Sequence, residues 1–101
     1  MIKRGVRLHP TNAWAVAMPI IHEVYRDFGY TVVLTSGTDG KHKSGSLHGE
    51  GRAHDFRTHH VKREDLYALV GTIQDALGNE FDVLLENEGQ PNEHLHCEHD
   101  P

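Results

Sequence analysis

Two segments far apart along the chain place the strongest constraint on its fold. Residues Ser46 to Asp55 carry His48 and Asp55, seven residues apart, across a glycine-rich bend that leads into an apolar stretch. His94 and His96 stand two apart near the other end, so in a strand both would point to one face. His48, Asp55 and one of the paired histidines would supply two imidazoles and one carboxylate, which makes three protein ligands. Three ligands with an open fourth position are typical of catalytic zinc. If one ion binds them all, the two segments must be neighbours in the fold.

Length and composition favour a small protein that lacks a nucleic-acid partner and a membrane partner. A chain of 101 residues predicts one domain with a modest core, which a bound metal would help to stabilise. The net charge of −5, without a cluster of Lys and Arg, argues against a nucleic-acid-binding surface. Neither a signal peptide nor an apolar run long enough to span a bilayer is found, so we expect a protein made in the cytoplasm. We also expect a monomer. The single cysteine, Cys97, excludes an internal disulfide and is expected in the core.

The residue pattern predicts two helices and four strands in the order α-β-β-α-β-β. We expect the helices at residues 11–28 and 62–77, and the strands at 30–35, 52–57, 81–86 and 93–98. Pro19 lies inside the first helical pattern, where it predicts a kink or a late start. The order of elements predicts an α+β domain, with helices packed against a mainly antiparallel sheet. The polar, glycine-rich stretch 36–51 is long for a loop in so small a domain, which favours a functional role.

A hydrolytic zinc site also needs a carboxylate that takes a proton from the attacking water. Glu86, Glu88 and Glu93 are the candidates in the last hairpin. Glu86 ends an apolar strand, where partial desolvation would favour a raised pKa, whereas Glu88 lies in the turn. Glu93 immediately precedes His94, so regular alternation would turn it away from the paired histidines.

The pattern Ser46-Leu47-His48-x-x-Gly51-Arg52-Ala53-x-Asp55, followed by His94-x-His96, resembles the M15 family of zinc D,D-carboxypeptidases and phage endolysin peptidases. It also resembles the signalling domain of hedgehog proteins, which shares that fold. The likeness runs from about Thr35 to His96, over half of the chain. It implies a hedgehog/DD-peptidase-like α+β fold in which His48, Asp55 and His96 hold Zn²⁺. His94 then lines the site as a catalytic residue that hydrogen-bonds the developing oxyanion.

The resemblance leaves two positions for the catalytic glutamate. Members with H-x-H keep it at the end of the preceding strand, which matches Glu86, and members with E-x-x-H keep it three before the last ligand, which matches Glu93. This chain has both, and we favour Glu86. Other histidines, among them His54, His59, His60 and His99, match no ligand position and are expected at the surface or around the site.

The resemblance also indicates how the substrate is bound. Many members hold the substrate carboxylate with an arginine in the loop before the first ligand, and this chain has none there. Lys41, Arg52 or Arg57 could replace it, and Arg52 and Ser46 of the motif are expected beside the substrate. The implied activity is hydrolysis of peptidoglycan stem peptides, as a D-Ala-D-Ala carboxypeptidase or an L-Ala-D-Glu endopeptidase.

The place of action and the alternatives follow from the same resemblance. Compact size without a wall-binding domain resembles a phage lytic protein that acts on the cell wall after release, or a domain of a virion. One alternative is a catalytically inactive, zinc-containing binding module of the same fold. Another is a structural or virion assembly protein in which the metal only stabilises a small core.

Overall fold

The computed structural model describes residues 10–36 and 53–101, which form two helices and four strands. In chain order they are α1 (Pro10–Asp27), β1 (Leu34–Ser36), β2 (Ala53–Arg57), α2 (Arg63–Leu77), β3 (Phe81–Glu86) and β4 (His94–His99). The predicted α+β class and the predicted order of elements are confirmed. The largest difference is the first strand, which begins at Leu34 rather than at Tyr30.

Side-chain contacts explain why the first strand is short. Tyr30 donates a 2.5 Å hydrogen bond to Asp65 on α2, and the Thr31 carbonyl lies 2.7 Å from Nε2 of His60. These contacts hold the segment before β1 against the start of α2. Pairing with β2 begins near Val33, whose carbonyl accepts a hydrogen bond from the amide of Arg57 at 2.8 Å.

The four strands form one sheet in the order β1-β2-β4-β3, and each neighbouring pair is antiparallel. Strand β4 therefore lies in the interior, between β2 and β3. Asp55 of β2 lies opposite His96, and Glu86 of β3 lies opposite His94. Because side chains alternate along a strand, this register places all four side chains on the same face.

The opposite face of the sheet packs against the helices. Phe56, Leu95 and Cys97 are fully buried there, against fully buried helical residues such as Tyr25 and Leu69. Cys97 is the small core residue that the alternation predicts, and burial raises the pKa of its thiol. Apolar side chains thus occupy one face of the sheet, and the polar side chains of Asp55, Glu86, His94 and His96 occupy the other.

Helix α1 continues through Pro19 instead of starting late. Proline removes the hydrogen bond to the carbonyl four residues earlier, that of Ala15. Pro19 and Ala15 are both exposed, so water can satisfy this carbonyl. In residues 10–36 and 53–101, neither helix is long and apolar enough to cross a membrane.

Gln74 connects the end of α2 to the edge strand β3. Its Nε2 donates to the carbonyls of Gly78 at 3.1 Å and Phe81 at 2.7 Å, and its Oε1 accepts from the Val83 amide at 3.0 Å. Gly78 ends the helix with a φ of 84°, a conformation that favours glycine, and its amide donates to the Gln74 carbonyl. One amide side chain thus fixes where β3 begins.

Replacing Gln74 with alanine should lower the free energy of unfolding by roughly 1 to 3 kcal/mol, because the Val83 amide loses its side-chain partner. Urea denaturation would measure the loss. Asp75→Ala on the exposed side of the same helix is the control, and we expect a change within about 0.5 kcal/mol. Equal losses in the two variants would contradict the connecting role of Gln74.

Candidate metal centre

Three strands bring four polar side chains together on the face of the sheet opposite the helices. Asp55 comes from β2, His94 and His96 come from β4, and Glu86 ends β3. Asp55 Oδ1 lies 2.8 Å from His96 Nδ1, although 41 residues separate them along the chain. The sequence requirement that these two segments be neighbours is therefore met.

Asp55, His94 and His96 form a group that could hold a metal ion. One ligand atom from each of them lies within 4.8 Å of the other two, and all three residues are half-buried. His94 Nε2 lies 3.7 Å from Asp55 Oδ2. Two imidazole nitrogens and one carboxylate oxygen are donors that zinc prefers. We call Asp55, His94 and His96 the donor group. His94, which was expected only to line the site, is thus itself a member of this group.

Several predicted site residues lie outside the described residues. These are the predicted ligand His48, the predicted substrate-binding residues Ser46 and Arg52, and the alternative Lys41. The ligand set of His48, Asp55 and His96 therefore stays a prediction, of which the structure places two members together.

Glu86 lies at the donor group. Its Oε1 is 2.8 Å from His94 Nε2 and 3.8 Å from His96 Nδ1. The Asn92 carbonyl, which can only accept, lies 2.8 Å from His94 Nδ1, so this nitrogen carries a hydrogen. Burial lowers the pKa of His94, but the hydrogen bond to Asn92 and the charges of Asp55 and Glu86 outweigh it and raise the pKa. A protonated His94 then also donates from Nε2 to Glu86.

Carboxylates lie beside both ring nitrogens of His96. Asp55 approaches Nδ1, and Glu98 Oε1 lies 2.6 Å from Nε2. The hydrogen bond to Asp55, together with that to Glu98, raises the pKa of His96 to about 9 against the lowering effect of burial. Without a metal, the ring is therefore a cation at neutral pH.

Glu93 faces away from the paired histidines, as regular alternation predicts. Its side chain is fully buried and accepts hydrogen bonds from both terminal nitrogens of Arg63, each at 2.6 Å. The Thr58 hydroxyl and the Gly89 amide also donate to it. The hydrogen bonds from Arg63 lower the pKa of Glu93 to about 2. A carboxylate held in this way is a poor proton acceptor, so the contacts favour Glu86 as the base.

A cavity of about 390 Å³ opens beside the donor group. Asp55, His94, Asn92 and Arg57 are among the residues that line it. Arg57 lies directly opposite His94 in the register, and its side chain is exposed. A guanidinium that is exposed at a cavity is suited to binding an anionic ligand.

The other histidines in the described part of the chain range from exposed to buried, and His54 and His60 are half-buried. His59 is exposed, as expected, and its Nε2 lies 2.9 Å from the Pro91 carbonyl in the wall of the cavity. The expectation of a surface position is wrong for His99, which is buried against Phe81 with 4.9 Å between ring centroids. His99 takes a core position because its place in β4 alternates with His96 and Glu98.

Glu98 lies beside the site although it was not among the predicted site residues. Its signal was available, because a residue two after His96 in a strand shares the face of that ligand. Glu98 also meets Asp82 and Asp100 in a second group of ligand atoms lying within 4.8 Å of one another. Exposed carboxylates of this kind are common without a bound ion.

The raised pKa of His96 predicts how the stability of the metal-free protein depends on pH. A pKa raised from 6.5 to about 9 adds stability that is complete below pH 6.5 and is lost as the pH rises through 9. The free energy of unfolding should fall by roughly 1 to 3 kcal/mol across this range, measured by urea denaturation with a chelator present. His96→Gln should remove most of the dependence and His94→Gln a smaller part. An unchanged dependence in His96→Gln would contradict the assignment.

Comparison with known proteins gives no relative from which a role could be transferred. No family model, no curated protein and no solved structure matches this chain. The chemistry of the site therefore has to be argued from its own residues.

Proposed function

We propose that this chain is a zinc-dependent peptidase that hydrolyses peptidoglycan stem peptides. The observation that carries the proposal is the position of Glu86, a carboxylate 2.8 Å from His94 Nε2 and 3.8 Å from His96 Nδ1. A site that only stores a metal needs ligands, whereas a hydrolytic site also needs a proton acceptor beside them. The hedgehog/DD-peptidase-like fold and the M15 likeness belong to this proposal.

The donor set fits zinc. His96 Nδ1 and Asp55 are the members that the ligand prediction and the structure share. The resemblance assigns the second imidazole to His48, which leaves His94 beside the ion as a proton donor. When bound, zinc supplies a Lewis acid that polarises the scissile carbonyl and lowers the pKa of water. The half-buried position of the donors keeps water competition low while the cavity leaves one side open to substrate.

Glu86 and His94 move or hold protons around that ion. Glu86 is 43% exposed, so water reaches its carboxylate, which takes a proton from the attacking water and passes it to the leaving amine. His94 Nδ1 donates to the Asn92 carbonyl, so the ring donates from Nε2 as well only in its protonated form. In that form it would hydrogen-bond the oxygen that becomes negative during attack. A donor placed in this way contributes roughly 3 kcal/mol in comparable sites.

Arg57 suits the substrates that the proposal names. In D-Ala-D-Ala, and in the L-Ala–D-Glu bond of stem peptides, the leaving residue carries a free carboxylate next to the scissile nitrogen. Arg57 lines the cavity opposite His94 and has an exposed side chain. Its guanidinium can bind that carboxylate with two parallel hydrogen bonds and so orient the scissile bond.

Glu86→Gln should reduce the rate of peptide release from purified cell wall by roughly 100- to 10,000-fold, because the amide cannot accept the proton. Zinc content and the free energy of unfolding should stay near those of the parent. Glu88→Gln, at an exposed turn residue, is the matched control and should keep full activity.

Glu93→Gln should behave differently, because Glu93 is buried against Arg63 and Thr58. We expect a loss of roughly 1 to 3 kcal/mol in unfolding free energy, with hydrolysis per folded molecule close to the parent. Full loss of hydrolysis in folded Glu93→Gln together with an active Glu86→Gln would reverse the assignment of the base. A zinc-loaded parent that releases no peptide would leave the inactive binding module as the better description.

Arg57→Met should raise KM by roughly 10- to 100-fold for a stem peptide with a free carboxylate next to the scissile bond. The same peptide with that carboxylate amidated supplies the control, and on it the parent and the variant should have the same KM. Arg57→Lys keeps the charge but not the planar fork and should give an intermediate value. An equal loss on both peptides would show that Arg57 does not bind the carboxylate.

A further inference from the structure

Glu98 contacts the site from a side that the proposed mechanism does not use. It lies two residues after His96 on β4, so both side chains share the face of the sheet opposite the helices. Glu98 Oε1 lies 2.6 Å from His96 Nε2, while the other ring nitrogen, Nδ1, lies 2.8 Å from Asp55 and 3.8 Å from Glu86. His96 therefore directs Nδ1 towards Asp55 and Glu86, and Nε2 towards Glu98.

The hydrogen position on His96 decides whether the ring can bind a metal. A neutral imidazole offers a lone pair from one nitrogen and keeps a hydrogen on the other. Both ring nitrogens lie beside a carboxylate, but Asp55, beside Nδ1, is itself a proposed ligand of the ion, whereas Glu98, beside Nε2, is not. With an ion bound to Asp55, Nδ1 would supply the lone pair and Nε2 would keep the hydrogen that it donates to Glu98. A carboxylate behind a metal-binding histidine also fixes the ring and increases its basicity.

We propose that Glu98 is a positioning residue of the metal centre: it accepts the Nε2–H hydrogen bond of His96, directs Nδ1 to the ion and raises the affinity for zinc. The inference rests on the zinc site of the proposed function. His94 is held differently, because its Nδ1 donates to the backbone carbonyl of Asn92 at 2.8 Å. Glu98 is thus a side chain outside the proposed ligands through which the orientation of His96 can be changed by substitution.

Negative charge alone could also attract a cation, so the test must separate charge from hydrogen bonding. Asp82 provides the matched control. It lies directly opposite Glu98 in the pairing of β3 with β4 and offers an oxygen within 4.8 Å of it. Asp82→Asn therefore removes one negative charge at the same end of the strand and leaves the bond between His96 and Glu98 in place.

The first measurement is zinc affinity, by competition with a chromophoric chelator, for the parent, Glu98→Ala, Glu98→Gln and Asp82→Asn. Glu98→Ala should bind zinc roughly 10- to 100-fold more weakly, as for other partners of metal-bound histidines. The zinc affinity of Glu98→Gln should lie between those of the parent and Glu98→Ala, because its amide oxygen still accepts from Nε2. If the alanine variant does not fold, Glu98→Gln is compared with the parent instead. Asp82→Asn should stay within about threefold of the parent, since exposed charges interact weakly. Equal weakening by Asp82→Asn and Glu98→Ala, or no weakening by either, would overturn the proposal.

The second measurement is the hydrogen position on His96 in the zinc-loaded protein, by nitrogen-15 NMR of the imidazole rings. We expect the hydrogen on Nε2, protected from exchange in the parent and exchanging faster in Glu98→Ala. A hydrogen found on Nδ1 would overturn the proposal. Neither readout needs peptidase activity, so zinc binding without hydrolysis would reject the proposed function and leave the role of Glu98 standing. A parent that binds no zinc would overturn both.

Discussion

The register between β2 and β4 is the constraint on which the rest of the structure depends. It places Asp55 opposite His96 and, two residues further, Arg57 opposite His94. Because side chains alternate, the same pairing puts Phe56 and Leu95 into the core. A slip of one residue would exchange the two faces, burying charged and polar groups and exposing apolar ones. Core packing and the candidate metal centre are therefore specified by one set of backbone hydrogen bonds.

The loop between β3 and β4 is held by a second, independent set of contacts. Glu93 receives hydrogen bonds from Arg63 at the start of α2, from Thr58 after β2 and from Gly89 within the loop. This buried carboxylate thus joins three parts of the chain directly before the strand that carries His94. One family pattern would make Glu93 the catalytic base, but its contacts in this fold are those of a residue that holds the loop in place.

Patterns along the chain predicted the elements well because the apolar residues repeat with the period of their own element. The bounds of β3, Phe81–Glu86, follow from its alternation, and the burial of Cys97 follows from that of β4. The proximity of Asp55 and His96 required a metal-site hypothesis, since no local signal links residues 41 positions apart. The face on which Glu98 lies follows from alternation, but its hydrogen bond to His96 depends on the rotation of one ring. The buried contacts of Glu93 could not be predicted, because its partner Arg63 is supplied by tertiary packing. The short β1 was missed for the same reason, as Tyr30 finds its partner on α2.

Because the pKa of Glu93 is very low, the contacts that hold the fold should persist at a lower pH than metal binding at the candidate centre. Imidazole donors must lose a proton to bind a metal, so mild acid would release the ion. Glu93, with a pKa of about 2, stays charged at the same pH and keeps its hold on Arg63 and the loop. If the candidate centre binds a metal, its loss in acid would then be reversible, because a folded scaffold with Asp55 and His96 still in register can bind the ion again on neutralisation without having to refold.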